Sequence, residues 1–384
     1  MTSALVAGAL ANKPNNGGEA WVRLSWILGL RRLGWDVWFV EELQPEICVD
    51  EAGSPTTFAG SINRRYFEEV TSQFGLAGAA TLICGGATAG AAYDELLDWA
   101  SQAQFLFNIS GHLKRRELVQ APRSRVYIDL DPGFTQLWAE RGEIGTDLAA
   151  HERHVTLGSN LGRAGCPLPT GGIDWQQTLP PVLIDEWPVT QSPAQPSPLT
   201  TIATWRSPYG QVELSGRLQG LKHHEFRKII DLPRRLPLLS FEIALAIEAE
   251  DGADLDMLRA HGWRVVNPGE VAADPDSYRS YIQRSAGEFT VAQGVYVSTR
   301  SGWFSDRTAC YLASGRPALV QDTGIGSTLP VGEGLVVFTD LEGAVQGAEM
   351  IAADYPAHCQ AAREIAEGYL DSDRVLTRVL EALV

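Results

Sequence analysis

Ala4-Leu-Val-Ala-Gly-Ala-Leu10 is followed by Asn12-Lys-Pro-Asn-Asn-Gly-Gly18, and these two stretches begin the motif that decides the fold. The first is a short apolar run that is typical of a buried strand, and the second is a polar loop containing Gly and Pro. Residues 19–33 form the wide apolar face of a helix, Gly34 ends it, and residues 36–40 form a second strand. This order predicts a right-handed βαβ unit with the loop at the carboxyl ends of parallel strands, where ligands bind.

The same pattern recurs along the chain. In the first half it predicts strands at residues 80–84, 105–109, 125–130 and 154–158, and a helix at residues 93–103. In the second half it predicts strands at residues 200–204, 241–247, 263–266, 289–292 and 318–321, with helices at residues 254–261, 276–286 and 304–314. The tail from Leu341 reads as three helices, broken at Pro356 and near Asp371.

Four prolines lie among Gln and Ser residues between Trp187 and Thr200, and this composition predicts a linker. We therefore predict an α/β protein with two doubly wound, Rossmann-like domains that face a central cleft. The first domain covers residues 1–190 and the second covers residues 191–370. The last helix, residues 371–384, would cross back to the first domain.

The composition limits the classes of partner. The 384 residues include 31 Lys and Arg against 47 Asp and Glu, which gives a net charge of −16. Such a field repels nucleic acid and anionic lipid surfaces, so we expect neither as a partner. A small anionic ligand is still compatible with it, because a few cations and backbone N–H groups can form a local positive pocket.

The five cysteines include no C-x-x-C pair and predict neither a disulfide framework nor a zinc site. The first ten residues lack the basic start of a signal peptide, and no apolar run reaches the ~20 residues of a membrane span. We therefore expect a cytoplasmic protein.

Two pairs of residues are candidates for phosphate binding. Gly17 and Gly18 lie at a helix N-terminus, where N–H groups attract anions, although a plain tight turn explains them equally well. Arg206 and Lys222 follow the first strand of the second half and could clamp a diphosphate. The alternative for this second pair is a solvated basic surface.

The stretch from Ser298 to Gly324 reads as loop, helix, turn, strand and loop. Arg300, Ser301 and Gly302 precede the helix and could hold a phosphate. Ser305 and Asp306 lie at its first turn, where Asp306 could accept a ribose hydroxyl, or both could form an ordinary helix cap. Asp322 follows the next strand and is a further ligand-binding candidate.

Asp129-Leu130-Asp131 ends a strand, and alternation points both carboxylates the same way. The pair could coordinate a divalent metal, Asp131 could orient or deprotonate a substrate hydroxyl, or the stretch could be ordinary turn chemistry. His112 and Asp131 are the two candidates for a general base.

Together these residues resemble the GT-B glycosyltransferases, and within them the glycogen-synthase-like group. Asn16-Gly17-Gly18 with its helix resembles that group's opening motif, His112 resembles its strand-end His, and Arg206 with Lys222 resembles its cationic pair. The run Ala313-Ser-Gly-Arg-Pro-Ala-Leu-Val320 resembles its Ala-Cys-Gly-x-Pro-Val-Val.

The resemblance implies a GT-B fold in which the first domain binds the acceptor and the second binds a nucleoside diphosphate sugar as co-substrate. It implies no separate cofactor and no metal, with a small molecule or glycan as acceptor. The chain departs from the group where two helix glutamates would stand, because these places hold Gly302 and Cys310. That departure motivates two alternatives of the same fold: a non-catalytic sugar-nucleotide-binding protein and a nucleotide-sugar epimerase.

Overall fold

Two open sheets of mainly parallel strands organise the chain in this computed structural model, which describes residues 2–142, 148–190, 197–207 and 209–383. The predicted linker includes residues 191–196, which lie outside the described residues, as does Val384. The two-domain boundaries therefore stay a prediction. Within the described ranges, no helix combines the length and apolar character that crossing a membrane requires.

The first sheet has the order β4-β3-β2-β1-β5-β6-β7-β8 and is parallel except for the β3–β4 pair. The predicted strands of the first half are confirmed, with small shifts at their ends. Their bounds are β1 (Ser3–Ala7), β2 (Asp36–Leu43), β3 (Ala80–Cys84), β4 (Ala87–Gly90), β5 (Phe105–Ile109), β6 (Ser124–Asp129), β7 (Arg153–Thr156) and β8 (Trp175–Gln177).

Helices cover this sheet, and α1 is the one that leads to the cleft. It begins at Gly17 because the Asn16 side chain accepts a hydrogen bond from the Glu19 N–H at 3.2 Å. The helices of the first half are α1 (Gly17–Arg32), α2 (Ile62–Gln73), α3 (Tyr93–Ala100), α4 (Arg116–Gln120) and α5 (Phe134–Arg141).

The second sheet has the order β13-β12-β9-β14-β15-β16 and is parallel throughout. A separate hairpin, β10–β11, lies outside it. The strands are β9 (Leu199–Thr204), β10 (Glu213–Leu214), β11 (Arg217–Leu218), β12 (Phe241–Ala246), β13 (Arg264–Val266), β14 (Gly287–Thr290), β15 (Ala318–Gln321) and β16 (Leu335–Phe338).

The predicted helices of the second half and of the tail are also confirmed, and several short elements join them. The helices are α6 (Lys222–Lys228), α7 (Leu232–Arg235), α8 (Gly252–Ala260), α9 (Pro268–Val271), α10 (Pro275–Arg284), α11 (Gly294–Ser298), α12 (Asp306–Ala313), α13 (Leu341–Ala353), α14 (Tyr355–Ile365) and α15 (Ser372–Leu383). Helix α15 packs on α1, where Arg32 pairs with Asp373 at 3.0 Å.

An aromatic cluster joins the two halves beneath the cleft. Trp187 is fully buried, and its ring centroid lies 5.1 Å from that of Trp21 on α1 and 6.3 Å from that of Tyr278 on α10. The indole N–H of Trp21 donates to the Pro275 carbonyl oxygen at 2.8 Å. Both halves therefore share one apolar core at this point.

We predict that Trp187→Ala lowers the free energy of unfolding by about 3–5 kcal/mol, because it removes a large side chain from a packed core. Chemical denaturation followed by circular dichroism measures this value. Trp187→Phe is the matched control and should cost much less, because within the described chain the buried Trp187 N–H makes no hydrogen bond that the change could break. Equal losses in the two variants would contradict the packing argument.

Candidate functional site

The strand order reverses once in each sheet, between β1 and β5 in the first and between β9 and β14 in the second. Open parallel sheets bind ligands in the crevice outside such switch points. A cleft of about 390 Å³ lies between the two halves. Lys13 and Glu19 line it from the first half, and Lys222, Asp306 and Arg307 line it from the second.

Arg307 lies across the second switch point. Its guanidinium donates to the Ile202 carbonyl oxygen on β9 and to Thr290 Oγ1 on β14, both at 2.7 Å. It also pairs with the fully buried Glu288 carboxylate at 2.7 Å. Because Glu288 compensates the positive charge of Arg307, this residue attracts an anion only weakly. Its main role is to hold β9 and β14 in position at the crevice.

Lys222 is the uncompensated cation of this wall. It is the first residue of α6, and its backbone N–H donates to Gln293 Oε1 at 2.8 Å. Among the described residues, its ammonium group makes no hydrogen bond or ion pair. Burial lowers the pKa of Lys222 to about 7, and the positive charge of Arg307 acts in the same direction. A bound anion would restore its charge.

The loop that carries Lys222 touches α11 through backbone atoms. A Cβ on Gly294 would lie 2.6 Å from the Gly220 carbonyl oxygen, so a larger residue there would push the loop away. Gly294 therefore allows the start of α6 to reach the cleft.

Helix α12 begins in the cleft at Asp306. The Ser305 side chain, which also lines the cleft, makes no capping hydrogen bond. The Asp306 N–H faces its own carboxyl group, and the N–H groups that follow it in the first turn can receive an anion. Burial raises the pKa of the Asp306 carboxyl group to about 7. Near neutral pH this group is therefore partly protonated and repels an anion less than a full carboxylate would.

On the opposite wall, a buried carboxylate shapes the β1–α1 loop. Glu41 on β2 is 1% exposed and accepts the backbone N–H groups of Leu10, Ala11 and Asn12 at 2.8, 2.6 and 2.7 Å. Burial raises the pKa of Glu41 to about 7, and the three N–H groups act in the opposite direction. The loop that follows β1 is thus anchored to the neighbouring strand.

Lys13, Glu19 and Arg23 form a charged cluster beside this loop. The Lys13 ammonium lies 2.5 Å from one Glu19 oxygen, and the Arg23 guanidinium binds the other. Burial opposes the charge of Glu19, but Arg23 and Lys13 together lower its pKa to about 2. One carboxylate thus balances two cations.

His112 follows β5 in a tightly held turn. Ser110 and Gly111 adopt positive φ values of 53° and 64°. The Asn108 side chain accepts the Leu113 N–H at 3.1 Å and donates to the Leu113 carbonyl oxygen at 3.0 Å. These bonds close the turn and place His112 at the first switch point.

The electrostatic surroundings keep His112 neutral. Burial lowers its pKa to about 3, and the charges of Arg23 and Lys13 contribute to the shift. A neutral imidazole with so low a pKa is a weak base, but it can donate and accept hydrogen bonds.

Asp131 joins the two halves, although it is not among the residues that line the cleft. Its Oδ1 accepts the Tyr296 hydroxyl of α11 at 2.8 Å. Burial raises the pKa of Asp131 above its usual value, although this hydrogen bond acts the other way. The negative charge of Asp131 acts to raise the pKa of Lys222, against the larger effects of burial and Arg307.

The carboxylate of the neighbouring Asp129 already accepts three side-chain hydrogen bonds. It is fully buried and accepts the side chains of Thr135, Gln136 and Thr156 at 2.7, 2.8 and 2.8 Å. Its oxygens hold the end of β6 and are not free for a metal ion, which removes the support for a metal site at Asp129-x-Asp131. Within the described ranges, no group of three His, Cys, Asp or Glu residues could hold a metal ion.

The predicted glycines lie where the two halves touch. Gly18 lines the cleft, but a Cβ on it would lie 2.9 Å from the Tyr278 ring. The Gly17 N–H donates to the Ala272 carbonyl oxygen at 2.9 Å, and a Cβ on Gly17 would lie 2.2 Å from the Asp274 carbonyl oxygen. These glycines allow close packing of α1 on the second half, which is a different reason from the predicted approach to a phosphate.

Arg206 does not join Lys222 in the cleft. Its guanidinium forms a bidentate pair with Asp251 at 2.5 and 2.6 Å, and its side chain is 61% exposed. The predicted clamp is therefore corrected: Lys222 faces the cleft together with Arg307, and Arg206 pairs on the surface.

The loop of Arg300, Ser301 and Gly302 lies outside the lining of the cleft. Its three N–H groups donate to backbone carbonyl oxygens, and Asn160 of the first half donates to the Arg300 and Ser301 carbonyl oxygens at 2.9 and 3.0 Å. Arg300 pairs with Asp322 at 3.1 Å. Arg300, Ser301 and Gly302 join the two halves through their carbonyl oxygens, and none of their backbone N–H groups, nor that of Asp322, is left for a phosphate.

Sequence reasoning missed several residues of the site. Glu41, Arg307 and Tyr296 are buried or half-buried polar groups whose partners lie on elements distant in sequence. Arg23 pairs with Glu19 at the i,i+4 spacing of a helix, which the sequence does contain. Lys13 could have been found, since it is one of four lysines in the chain and lies in the loop before Gly17.

Neither a protein-family model nor a curated protein sequence matches this chain. Solved structures do match it over its full length. They include an α-glucosyltransferase in complex with UDP and a 13-mer DNA (10% identity, 100% of this chain and 98% of that chain, TM-score 0.62). A second is a sucrose-phosphate synthase from Thermosynechococcus elongatus (11% identity, 100% of this chain and 100% of that chain, TM-score 0.55). A third is HepE from Anabaena in complex with UDP-glucose (10% identity, 100% of this chain and 99% of that chain, TM-score 0.58).

At 10–11% sequence identity, the similarity to these solved structures establishes the fold alone. The structure resembles GT-B glycosyltransferases, and the predicted fold, two Rossmann-like halves around a cleft, is confirmed. The roles of individual residues stay predictions.

We predict that the His112 imidazole stays neutral down to about pH 5, far below the usual titration range of histidine. NMR titration of the seven histidines measures this, and the resonance that disappears in His112→Asn assigns the signal. Lys13→Gln should raise the pKa of His112, because it removes one of the cations that oppose protonation. A normal titration of His112 near pH ~6.5 would contradict this account of the site.

Proposed function

We propose that this protein is a glycosyltransferase that moves a sugar from a nucleoside diphosphate sugar to a small-molecule or glycan acceptor. One observation carries the proposal: two switch points face one cleft, and the second-half wall offers Lys222 and the N-terminus of α12, which Ser305 does not cap. The proposal includes the predicted roles of residues 1–190 as the acceptor side and residues 191–370 as the donor side. It also includes a cytoplasmic location and the absence of a metal and of a separate cofactor.

The donor diphosphate would lie against the second-half wall. The N–H groups at the start of α12 donate to its oxygens, and Lys222 supplies the positive charge that stabilises the leaving phosphate. Asp306, partly protonated near neutral pH, can hydrogen-bond to the donor without full charge repulsion. Arg307 holds β9 and β14 so that these donors stay aligned.

The acceptor would lie against the first-half wall. Asp131 is the proposed base, because its raised pKa brings a carboxylate closer to the operating range of a general base. The neutral His112 is the proposed hydrogen-bonding partner of the transferred sugar. The net charge of −16 opposes DNA as the acceptor, in contrast to the neighbour that was solved with DNA.

We predict that Lys222→Met weakens nucleoside diphosphate binding about 10- to 100-fold, the worth of a charge-assisted hydrogen bond. Arg206→Met is the matched control and should change the affinity little, since Asp251 already holds Arg206 away from the cleft. Isothermal titration calorimetry with UDP, GDP, dTDP and ADP measures the nucleotide affinity of both variants and identifies the nucleobase that the protein prefers.

The same titrations should show that wild-type protein takes up protons at about pH 7 on binding, because the anion raises the lowered pKa of Lys222. The affinity should fall as the pH rises above about 7, where Lys222 and Asp306 both lose their protons. Unchanged affinity in Lys222→Met, or equal losses in Lys222→Met and Arg206→Met, would refute this placement of the diphosphate.

We predict that Asp131→Asn reduces turnover about 10²- to 10⁴-fold with little change in nucleotide affinity, because it removes the proton acceptor. The acid limb of the kcat/KM profile should report a pKa above that of an ordinary carboxyl group and should disappear in the variant. His112→Ala should lower kcat without moving that limb. If His112→Ala removes the limb and Asp131→Asn does not, the two roles are reversed.

A further inference from the structure

The first-half wall carries more positive charge than its carboxylates balance. Lys13 and Arg23 share Glu19, and both also act on Asp131, so the excess positive charge of this wall comes from counting Lys114 with them: three cations face two carboxylates. Lys114 follows His112 by two residues and is exposed, and among the described residues its ammonium group forms no ion pair. Two of the chain's four lysines therefore lie beside His112 in a protein of net charge −16.

The other carboxylates at this edge are already engaged. Glu41 accepts three loop N–H groups, as described above. Glu42 accepts the N–H groups of Lys114 and Arg115 at 3.1 and 3.0 Å and also faces the Arg115 guanidinium. Among the described residues, neither carboxylate forms an ion pair with Lys13 or Lys114.

A buried hydrogen-bond donor, Arg23 Nε, also lies at this edge of the first sheet. Arg23 is 2% exposed, and in the described chain its Nε is buried and makes no hydrogen bond. The side chain lies over Gly8 at the end of β1, since a Cβ on Gly8 would meet Arg23 Cγ at 3.1 Å and Nε at 3.3 Å. This is the edge of the switch point between β1 and β5, next to the His112 turn. A buried N–H without an acceptor is unusual in a folded protein, and here it lies beside an excess of positive charge.

We propose that the acceptor substrate carries an anionic group, a phosphate or a carboxylate, that binds between Lys13, Arg23 and Lys114 beside His112. The inference rests on the proposed function and specifies its second substrate. The proposed donor diphosphate lies on Lys222 and α12. Arg23 and Lys114 are not among the residues that line that cleft, so they are available for a different anion, to which Lys13 at the cleft edge would also turn. An oxyanion of this kind accepts charge-assisted hydrogen bonds from both lysines and orients a hydroxyl of the acceptor toward Asp131.

The test uses the full chain saturated with whichever of UDP, GDP, dTDP and ADP binds it. Glucose, glucose 6-phosphate, glucuronate and inorganic phosphate are then titrated by calorimetry. We expect glucose 6-phosphate or glucuronate to bind and glucose not to bind; comparison of the two anionic sugars identifies the group as phosphate or carboxylate. Inorganic phosphate should compete with the anionic sugar.

Lys114→Met should weaken the anionic sugar about tenfold or more while nucleotide affinity stays within about twofold, because Lys114 does not line the donor cleft. Lys228→Met is the matched control, since Lys228 pairs with Glu225 on the second half and should change neither affinity. Nucleotide binding with no binding of the anionic sugars, or with binding that Lys114→Met leaves unchanged, overturns the inference and leaves the proposed function standing.

Two further results are informative. Anionic sugars that bind only in the absence of nucleotide would compete for the donor site, which also overturns the inference. Failure of all four nucleotides to bind would overturn the proposed function, and the inference with it.

Discussion

The end of strand β2 controls the geometry of the first switch point. Glu41 and Glu42 are consecutive, so their side chains point to opposite faces of the sheet. Glu41 binds the N–H groups of the loop after β1, and Glu42 binds those of residues 114 and 115 after β5. Both loops that flank the switch point are therefore anchored to one neighbouring strand, and the placement of Lys13, His112 and Lys114 depends on these two carboxylates.

The ionisable groups around the cleft limit buried charge in two ways. Burial shifts Lys222, Asp306 and His112 toward their neutral forms. Other acidic and basic groups instead form ion pairs, as Glu19 does with Arg23 and Glu288 does with Arg307. A site of this kind costs less to fold than one with bare buried charges, and an anionic substrate restores the charge of Lys222 when it binds. Substrate binding and protonation are thus linked through the same side chains.

The sequence predicted the fold well because periodicity and turn residues report locally on strands and helices. The βαβ unit at residues 4–40 and the strands around it were correctly predicted for this reason. Short elements such as β4, β8 and β16 were missed, since three or four residues carry little periodic signal. In the candidate site, the sequence pointed to Lys222 and Asp306 by their position after a strand and at a helix start. It could not show that Asp251 holds Arg206 or that Asn160 holds the Arg300 loop, because these partners are distant in sequence.

The two positions that depart from the glycogen-synthase-like pattern have structural explanations. Gly302 has a φ of +73°, and a Cβ there would lie 2.2 Å from Ser159 Oγ, so a glutamate would separate the two halves where they now touch. Cys310 is buried in the cleft one turn after Asp306. Burial raises the pKa of the Cys310 thiol well above its usual value, and the negative charge of Asp306 adds to this shift. The acidic group of this helix therefore lies one turn earlier, at the N-terminus, where the helix dipole favours its ionised form. A carboxyl group that the dipole and burial influence in opposite directions can titrate near neutral pH, which a solvated glutamate on the same helix would not do.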